Sequence, residues 1–118
     1  MRKLITKINV LGTEYKVYAS NPKTDKELEE NDGFCDYSKR IIVIDETSKA
    51  SEERKQHVLT HEIVHAFLNE SGLRGQGHAE WAYDEEIVDW IAAQIPKMQV
   101  VRKSMLKEYI KTKKKAEK

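Results

Sequence analysis

The chain has 118 residues, the size of one domain with a modest hydrophobic core. Hydrophobic residues make up 39% and charged residues 35% of it, and no apolar run approaches the roughly 20 residues of a membrane span, so we expect no membrane partner. The net charge is +1, but residues 102–118 hold eight Lys or Arg and two Glu, which excludes an evenly charged surface and leaves residues 1–101 acidic.

The cysteine content and the first residues bear on the compartment. Cys35 is the single cysteine, so the chain has no internal disulfide, which fits a reducing environment. The residues after Met1 alternate between apolar and polar and do not form the apolar segment of a secretory signal. We therefore expect a cytoplasmic protein in which Cys35 is a small buried side chain.

The first third of the chain predicts a small, mostly antiparallel β-sheet. Residues 3–10 and 13–19 alternate between apolar and polar side chains, and the glycine between them favours a hairpin. The polar segment 23–30 is expected to form one or two turns of exposed helix. A short strand at 34–36 and the β-branched run 40–44, expected to be central, complete the predicted sheet.

The remainder predicts helices, so the expected fold class is α+β, with the sheet packed on the helices. Ser51 is a suitable N-cap for a helix that runs to about Glu70. A second helix should begin within 79–85 and end before Pro96, which cannot continue it. Residues 97–115 predict a further amphipathic helix.

We expect a single domain over residues 1–101. Residues 102–118 then form a basic helix end or tail. Such a segment can contact nucleic acid, although a solvated helix end that frays explains it more simply.

One stretch of the first long helix, His61-Glu62-Ile63-Val64-His65, carries the clearest chemical pattern. Residues four apart lie on one face of a helix, so His61 and His65 can direct two imidazoles at one point. Zinc binds neutral histidine nitrogens at about 2.0–2.1 Å, and Glu62 can reach a coordinated water and take its proton. The pattern predicts a zinc site with Glu62 as general base.

The same pattern also occurs by chance in unrelated proteins, where the two histidines are ordinary core or surface residues. The context here favours the metal. Leu59, Ile63, Ala66 and Phe67 are spaced to face a core, which leaves the histidine side of the helix for a cleft.

A catalytic zinc needs a third protein ligand, and Glu85, Glu86 and His78 compete for that role. Glu85 and Asp89 are four apart and share a helix face, so Glu85 can bind the metal while Asp89 accepts a hydrogen bond from a ligating histidine. Glu86 would then point elsewhere. The same acids also suit the solvated first turn of a helix, where the dipole favours negative charge.

Together, His61-Glu62-x-x-His65 and Glu85-x-x-x-Asp89 resemble the zincin superfamily of HExxH metallopeptidases in its gluzincin arrangement. In that arrangement the third ligand is a Glu on a following helix. The separation of twenty positions between His65 and Glu85 is similar to that of thermolysin-like enzymes.

The stretches 61–73 and 85–97 also resemble small phage and prophage metallopeptidase-like proteins and the ImmA/IrrE group. The resemblance covers about residues 33–97. It implies a zincin-like fold, Zn2+ as cofactor, and a protein or peptide substrate such as a regulator.

Some departures narrow the resemblance. Leu68 and Ser71 stand where a metzincin has Gly and His, which excludes that class. The stretch around His78 resembles the third-histidine region of SprT-like proteases, so His78 stays a candidate ligand. Tyr83 and His78 are candidates for stabilising an oxyanion, by proximity in sequence alone.

Three further side chains are expected to be structural. His57 lies one turn before His61 and is a candidate for the rim of the site, although an ordinary surface histidine explains it more simply. Trp81 and Trp90 are expected in the core or the wall of the cleft.

The resulting hypothesis is a phage-type zinc metallopeptidase that cleaves a protein or peptide. An alternative is a zinc-binding regulatory or phage-assembly module without proteolytic activity. A third hypothesis is nucleic-acid binding through 102–118, which would survive metal removal and depend strongly on salt. The oligomeric state stays open, because the apolar positions from Met98 to Tyr109 can pack on this chain or on a second copy.

Overall fold

The computed structural model describes residues 1–73 and 80–116 and shows the expected α+β class. Four strands form one sheet, and two long helices follow it along the chain. The strands are β1 (Lys3–Val10), β2 (Thr13–Ser20), β3 (Gly33–Asp36) and β4 (Ile41–Asp45), the helices are α1 (Glu52–Glu70) and α2 (Glu85–Ala116), and 3-10 turns lie at Lys26–Glu29 and Glu80–Tyr83.

The sheet has the strand order β1-β2-β4-β3, which places β3 at one edge. β1 and β2 form the predicted hairpin, and β3 pairs antiparallel with β4. β2 and β4 run parallel, with Val17 beside Ile42, because a long connection and not a tight turn joins them. The prediction of a mostly antiparallel sheet is confirmed, with this one parallel pairing added.

One face of the sheet packs on α1. Tyr15, Val17 and Ile42 are buried there together with Val10 and with Ala66 of α1. The alternation seen in the sequence of β2 thus corresponds to a real inside and outside of the strand.

The other face of the sheet is covered by the segment before β3. This segment is a single 3-10 turn, and its Leu28 packs with Ile41 and Val43 of β4 and is only 4% exposed. The prediction of one or two helical turns at 23–30 is confirmed by this single turn, but the expected exposure is wrong for Leu28, because the second face of β4 also needs an apolar cover.

Both ends of α1 match the prediction. The Oγ atom of Ser51 accepts a hydrogen bond from the backbone N–H of Arg54 at 3.1 Å, which caps the first turn. Gly72 follows the last residues with φ of +84°, a conformation that glycine adopts without steric cost.

α1 lies between the sheet and α2 and therefore has two apolar sides. Ile63 faces the sheet, whereas Val64 and Leu68 pack on α2. Around the helix axis, Phe67 lies between the side that faces the sheet and the side that faces α2. It is 41% exposed, so the expectation that it faces the core is wrong. The histidines of the motif lie on the side beyond Val64 and Leu68, next to α2.

α2 continues through Pro96 without a break, which corrects the prediction of two separate helices. A proline inside a helix removes one backbone hydrogen bond and crowds the preceding turn, at a cost of about 3 kcal/mol. Pro96 is exposed, and the turns before it are packed on α1 through Val88 and Ala92. Residues 102–116 are the last turns of this same helix. Among the described residues, no helix is long and apolar enough to cross a membrane.

Candidate metal centre

Three donor side chains from two helices meet at one point. His61 and His65 lie one turn apart on α1, and Glu85 is the first residue of α2. The Nε2 atoms of the two histidines are 3.1 Å apart. The Glu85 carboxylate lies 2.9 Å from His61 Nε2 and 3.0 Å from His65 Nε2. The structure thus brings together the three residues that the sequence favoured as metal ligands.

The position of Glu85 is set by the start of α2. The Oδ1 atom of Asp84 accepts hydrogen bonds from the backbone N–H groups of Glu86 at 2.9 Å and Ile87 at 3.2 Å, which caps the helix. Val88 is fully buried in the packing against α1. Glu85 therefore sits on a capped and packed turn, while its own side chain is 69% exposed and open to a ligand.

Asp89, one turn after Glu85, contacts two histidines through a single oxygen. Its Oδ1 accepts hydrogen bonds from His57 Nε2 at 2.7 Å and from His61 Nδ1 at 3.0 Å. The hydrogen bond from His57, with a smaller contribution from His61, holds the pKa of Asp89 below its ordinary value. The contact that the sequence predicted between Asp89 and a candidate ligand is present.

The hydrogen bond to Asp89 also defines the electrostatics of the cluster. Because His61 Nδ1 carries the donated proton, the neutral ring presents a lone pair at Nε2. That lone pair faces the Glu85 carboxylate and His65 Nε2 at about hydrogen-bond distance. Acceptors this close repel one another unless a proton or a metal ion lies among them. The arrangement favours a bound positive charge.

Zinc fits this donor set. Two neutral imidazoles and one carboxylate, with a fourth position open, are the usual ligands of a catalytic zinc. Tetrahedral ligands at about 2.0–2.1 Å from the ion lie about 3.3 Å from one another. The corresponding distances among His61, His65 and Glu85 are 2.9 to 3.1 Å, close to that value.

Glu62 lies beside the cluster and outside the ligand set. The residue is only 7% exposed, and this burial raises the pKa of Glu62 to about 7, with His61 lowering it and Glu85 raising it by smaller amounts. A carboxyl group with a pKa near 7 can accept and release a proton at neutral pH.

The cluster opens into a cleft of about 580 Å³ between β3, α1 and the start of α2. Gly33 allows β3 to approach α1 closely at the edge of this cleft. A Cβ atom added there would lie 2.9 Å from Val58 Cγ1 and 3.0 Å from the backbone oxygen of Val43, so larger residues would force β3 away. Phe34 and Cys35 continue the same wall.

The other candidate residues lie apart from the cluster or at the surface. Glu86 is exposed and outside the ligand group, and Tyr83 is 50% exposed and absent from the cleft wall that the described residues form. His78 lies outside the described residues. Trp81 and Trp90 are 40% and 64% exposed, so the expectation that they lie in the core or the cleft wall is wrong.

Two features of the site were missed or misjudged from the sequence. His57 belongs to the hydrogen-bonded group around Asp89 and is only 22% exposed at its side chain. The spacing of four from His57 to His61 and again to His65 was the available signal. Cys35, expected to be buried, is half-buried in the cleft wall, because an edge strand has a neighbour on one side only.

A scan against protein-family models, a search of curated proteins and a search of solved structures each found no match for this chain. The functional assignment therefore depends on the geometry and chemistry of the site itself.

Proposed function

We propose that the chain is a zinc-dependent metallopeptidase with a zincin-like arrangement of sheet, motif helix and ligand-bearing second helix. The observation that carries the proposal is the convergence of His61, His65 and Glu85 beside the buried carboxyl group of Glu62. Structural zinc sites are usually closed by four protein ligands. A site with three ligands, an open side and a nearby acid suits hydrolysis better than storage or structural support.

Each residue around the proposed metal position has a separate role in peptide hydrolysis. Bound zinc would supply Lewis acidity toward a water molecule and the substrate carbonyl. Glu62 takes the proton from the attacking water and passes it to the leaving amine. Asp89 holds His61 in the tautomer whose Nε2 atom is unprotonated and available to the metal.

The edge strand β3 supports a peptide as the substrate. β3 lies at the edge of the sheet, and its residues Gly33, Phe34 and Cys35 line the cleft that holds the cluster. The backbone N–H and C=O groups on such an edge can pair with an added extended strand. A peptide bound in this way runs through the cleft beside Glu62, which favours an extended segment of a protein over a compact small molecule.

The test compares Glu62→Gln with the matched variant Glu86→Gln. Each protein is loaded with zinc, its metal content is measured by elemental analysis, and cleavage of a mixture of denatured proteins is followed by mass spectrometry of new peptide ends. We expect the wild type and Glu86→Gln to bind zinc and to generate the same new ends. Glu62→Gln should bind zinc and generate none, because an amide cannot take the proton.

Four outcomes would change the assignment. A wild type that binds no zinc removes the metal centre, and a Glu62→Gln variant that cleaves as the wild type does removes the role of Glu62. A wild type that binds zinc but cleaves nothing favours the alternative, a non-proteolytic zinc-binding module. Loss of zinc in Glu85→Gln but not in Glu86→Gln is expected for the third ligand, and the reverse result would move that role to Glu86.

A further inference from the structure

An apolar row runs along the exposed side of α2. With 100° of rotation per residue, its members fall within an arc of about 100° of the helix surface. We call it the α2 stripe, and its members, with their exposed fractions, are Ile87 (37%), Trp90 (64%), Met98 (65%), Val101 (67%), Met105 (60%) and Tyr109 (54%).

The α2 stripe is longer than a row that exposed apolar residues scattered over a protein surface would form by chance. From Ile87 to Tyr109 it spans about 33 Å at 1.5 Å per residue. Single exposed apolar side chains are normal, but six on one side of a helix, interrupted there by Gln94, mark an interaction surface. The face of α2 that packs on α1 carries Val88 and Ala92, so the stripe lies on a different side of the helix from the packed one.

Charge is separated along α2. Its first turn carries Glu85 and Glu86, with Asp89 following, whereas its last turn carries Lys113, Lys114 and Lys115. Two copies of α2 lying parallel would align like charges along their whole length. Two antiparallel copies would place the acidic start of each helix beside the basic end of the other. Their helix dipoles would then point in opposite directions, which is also favourable.

We propose that a second copy of this chain packs antiparallel along the α2 stripe, so that α2 is a dimerisation helix. The midpoint of the stripe is Met98, which lies on the two-fold axis and meets its own copy. In this register Ile87 of one chain faces Tyr109 of the other. The proposal does not depend on the peptidase assignment, because the site lies on another side of α2.

One charged pair reports directly on this register. The two-fold axis is perpendicular to the plane that contains both helices. It therefore places the residues on one side of the stripe next to the residues on the same side of the stripe in the second copy. Glu86 and Lys111 lie on the same side of the stripe, about 20° apart around the helix axis. With the midpoint at Met98, Glu86 of one chain therefore comes to within one residue of Lys111 of the other, and both side chains are exposed in the single chain.

The first experiment measures association by sedimentation equilibrium over a wide range of concentration. The wild type should form a species of twice the 13.7 kDa of one chain. Met105→Glu should weaken dimerisation by about tenfold or more, because it places a charge in the apolar contact. Gln99→Glu adds the same charge about 120° away around α2, outside the stripe, and should leave the dimer unchanged.

The second experiment tests the orientation of the helices. Glu86→Lys and Lys111→Glu should each weaken the dimer, and the double variant should restore it, because the pair is re-formed with reversed sign. In a Cys35→Ser background, a mixture of Ile87→Cys and Tyr109→Cys chains should cross-link on oxidation. Tyr109→Cys alone should not, because its two copies lie at opposite ends of the pair.

Other occupants of the stripe give distinct results. A wild type that stays monomeric at every concentration overturns the proposal, and cross-linking of Tyr109→Cys with itself in place of the mixture overturns the antiparallel arrangement. In the monomeric case, binding to phosphatidylserine-containing vesicles that is lost in Met105→Glu assigns the stripe to a membrane surface. Binding to a random DNA duplex that persists in Met105→Glu and weakens with salt assigns the basic face to nucleic acid.

Discussion

The two halves of α2 share one helix but differ in what surrounds them. Residues 85–95 pack on α1 through Val88 and Ala92 and carry Glu85 and Asp89 into the candidate metal centre. Residues 96–116 are exposed apart from the half-buried Leu106. The comparison shows that an amphipathic pattern alone does not decide whether a helical segment is packed, since both halves carry apolar residues at helical spacing.

The difference also separates chemistry from association. The packed half holds ionisable groups at fixed positions, because Val88 and Ala92 fix the helix against α1 and hydrogen bonds hold the side chain of Asp89. The exposed half offers an apolar row and many lysines, which suits contact with another molecule. Substitutions within residues 96–116 should therefore leave the candidate metal centre largely unchanged.

The largest expected effect concerns the proposed metal ligands. Loss of a residue that only hydrogen-bonds to a metal ligand lowers metal affinity by about 10–100-fold. His65→Ala removes a ligand itself, so zinc affinity should fall by more than this, and cleavage should disappear with it. Met105→Glu, in the exposed half of α2, should bind zinc as the wild type does. Competition with a fluorescent zinc chelator measures both affinities. Equal affinity for His65→Ala and the wild type would place the metal elsewhere.

The next effect concerns the stability of the metal-free protein. The pKa of Glu62 is raised from 4.5 to about 7, so the folded state holds this proton more tightly than the unfolded chain. Glu62 thus contributes stability at low pH, and the contribution is lost as the pH rises from about 4.5 through 7, by about 3 kcal/mol in total. Urea unfolding of wild type and Glu62→Gln at pH 5 and pH 8 measures the difference.

The direction of this second prediction is fixed by the sign of the pKa change. The free energy of unfolding of the wild type should fall relative to that of Glu62→Gln between pH 5 and pH 8. A constant difference between the two proteins across this range would contradict the burial of the carboxyl group. The exposed half of α2 contributes equally to the free energy of unfolding of both proteins, so its contribution cancels in the difference.

A smaller effect is expected from the hydrogen bonds around Asp89. Asp89→Asn should reduce zinc affinity by about 10–100-fold, because an amide is a poorer acceptor for the N–H group of His61. His57→Ala should have a smaller effect in the same direction, since His57 touches only Asp89 and not the candidate ligands through the contacts described. If His57→Ala costs as much as His65→Ala, His57 acts as a ligand and not as a positioning residue.

The smallest effect tests the junction between the two halves. Pro96→Ala restores the missing backbone hydrogen bond and removes the crowding of the preceding turn. The expected result is slower amide hydrogen exchange in residues 97–116, with little change in the melting temperature, because this half of α2 adds few contacts to the domain core. Unchanged exchange would mean that the helix already forms through Pro96 without local strain.

Some features of the fold and site could be predicted because they depend on local spacing. The burial of Tyr15 and Val17 follows from the alternation of a strand, and the convergence of His61 and His65 follows from the pitch of a helix. The cap by Ser51 likewise depends on neighbouring residues only. Each of these requires no knowledge of the rest of the chain.

Other features could not be predicted, because they depend on which surfaces meet. Phe67 is exposed since it falls between the two apolar sides of α1, and Leu28 is buried since β4 has a second face to cover. The contact of His57 with Asp89 joins residues that are 32 positions apart. Helical spacing places each residue on a face but does not say which face opposes it.

The sequence by itself determined that two imidazoles and the Glu62 carboxyl group lie on one short helical segment, because the geometry of an α-helix requires it. It also determined which carboxylates were available as a third ligand. Only the tertiary structure shows which of those it describes lies near the histidines: the first turn of α2 packs against α1, so that Glu85 reaches the histidines and Glu86 does not. The physical reason is that a metal site joins distant segments, and their meeting depends on the packing of apolar faces that local spacing leaves undetermined.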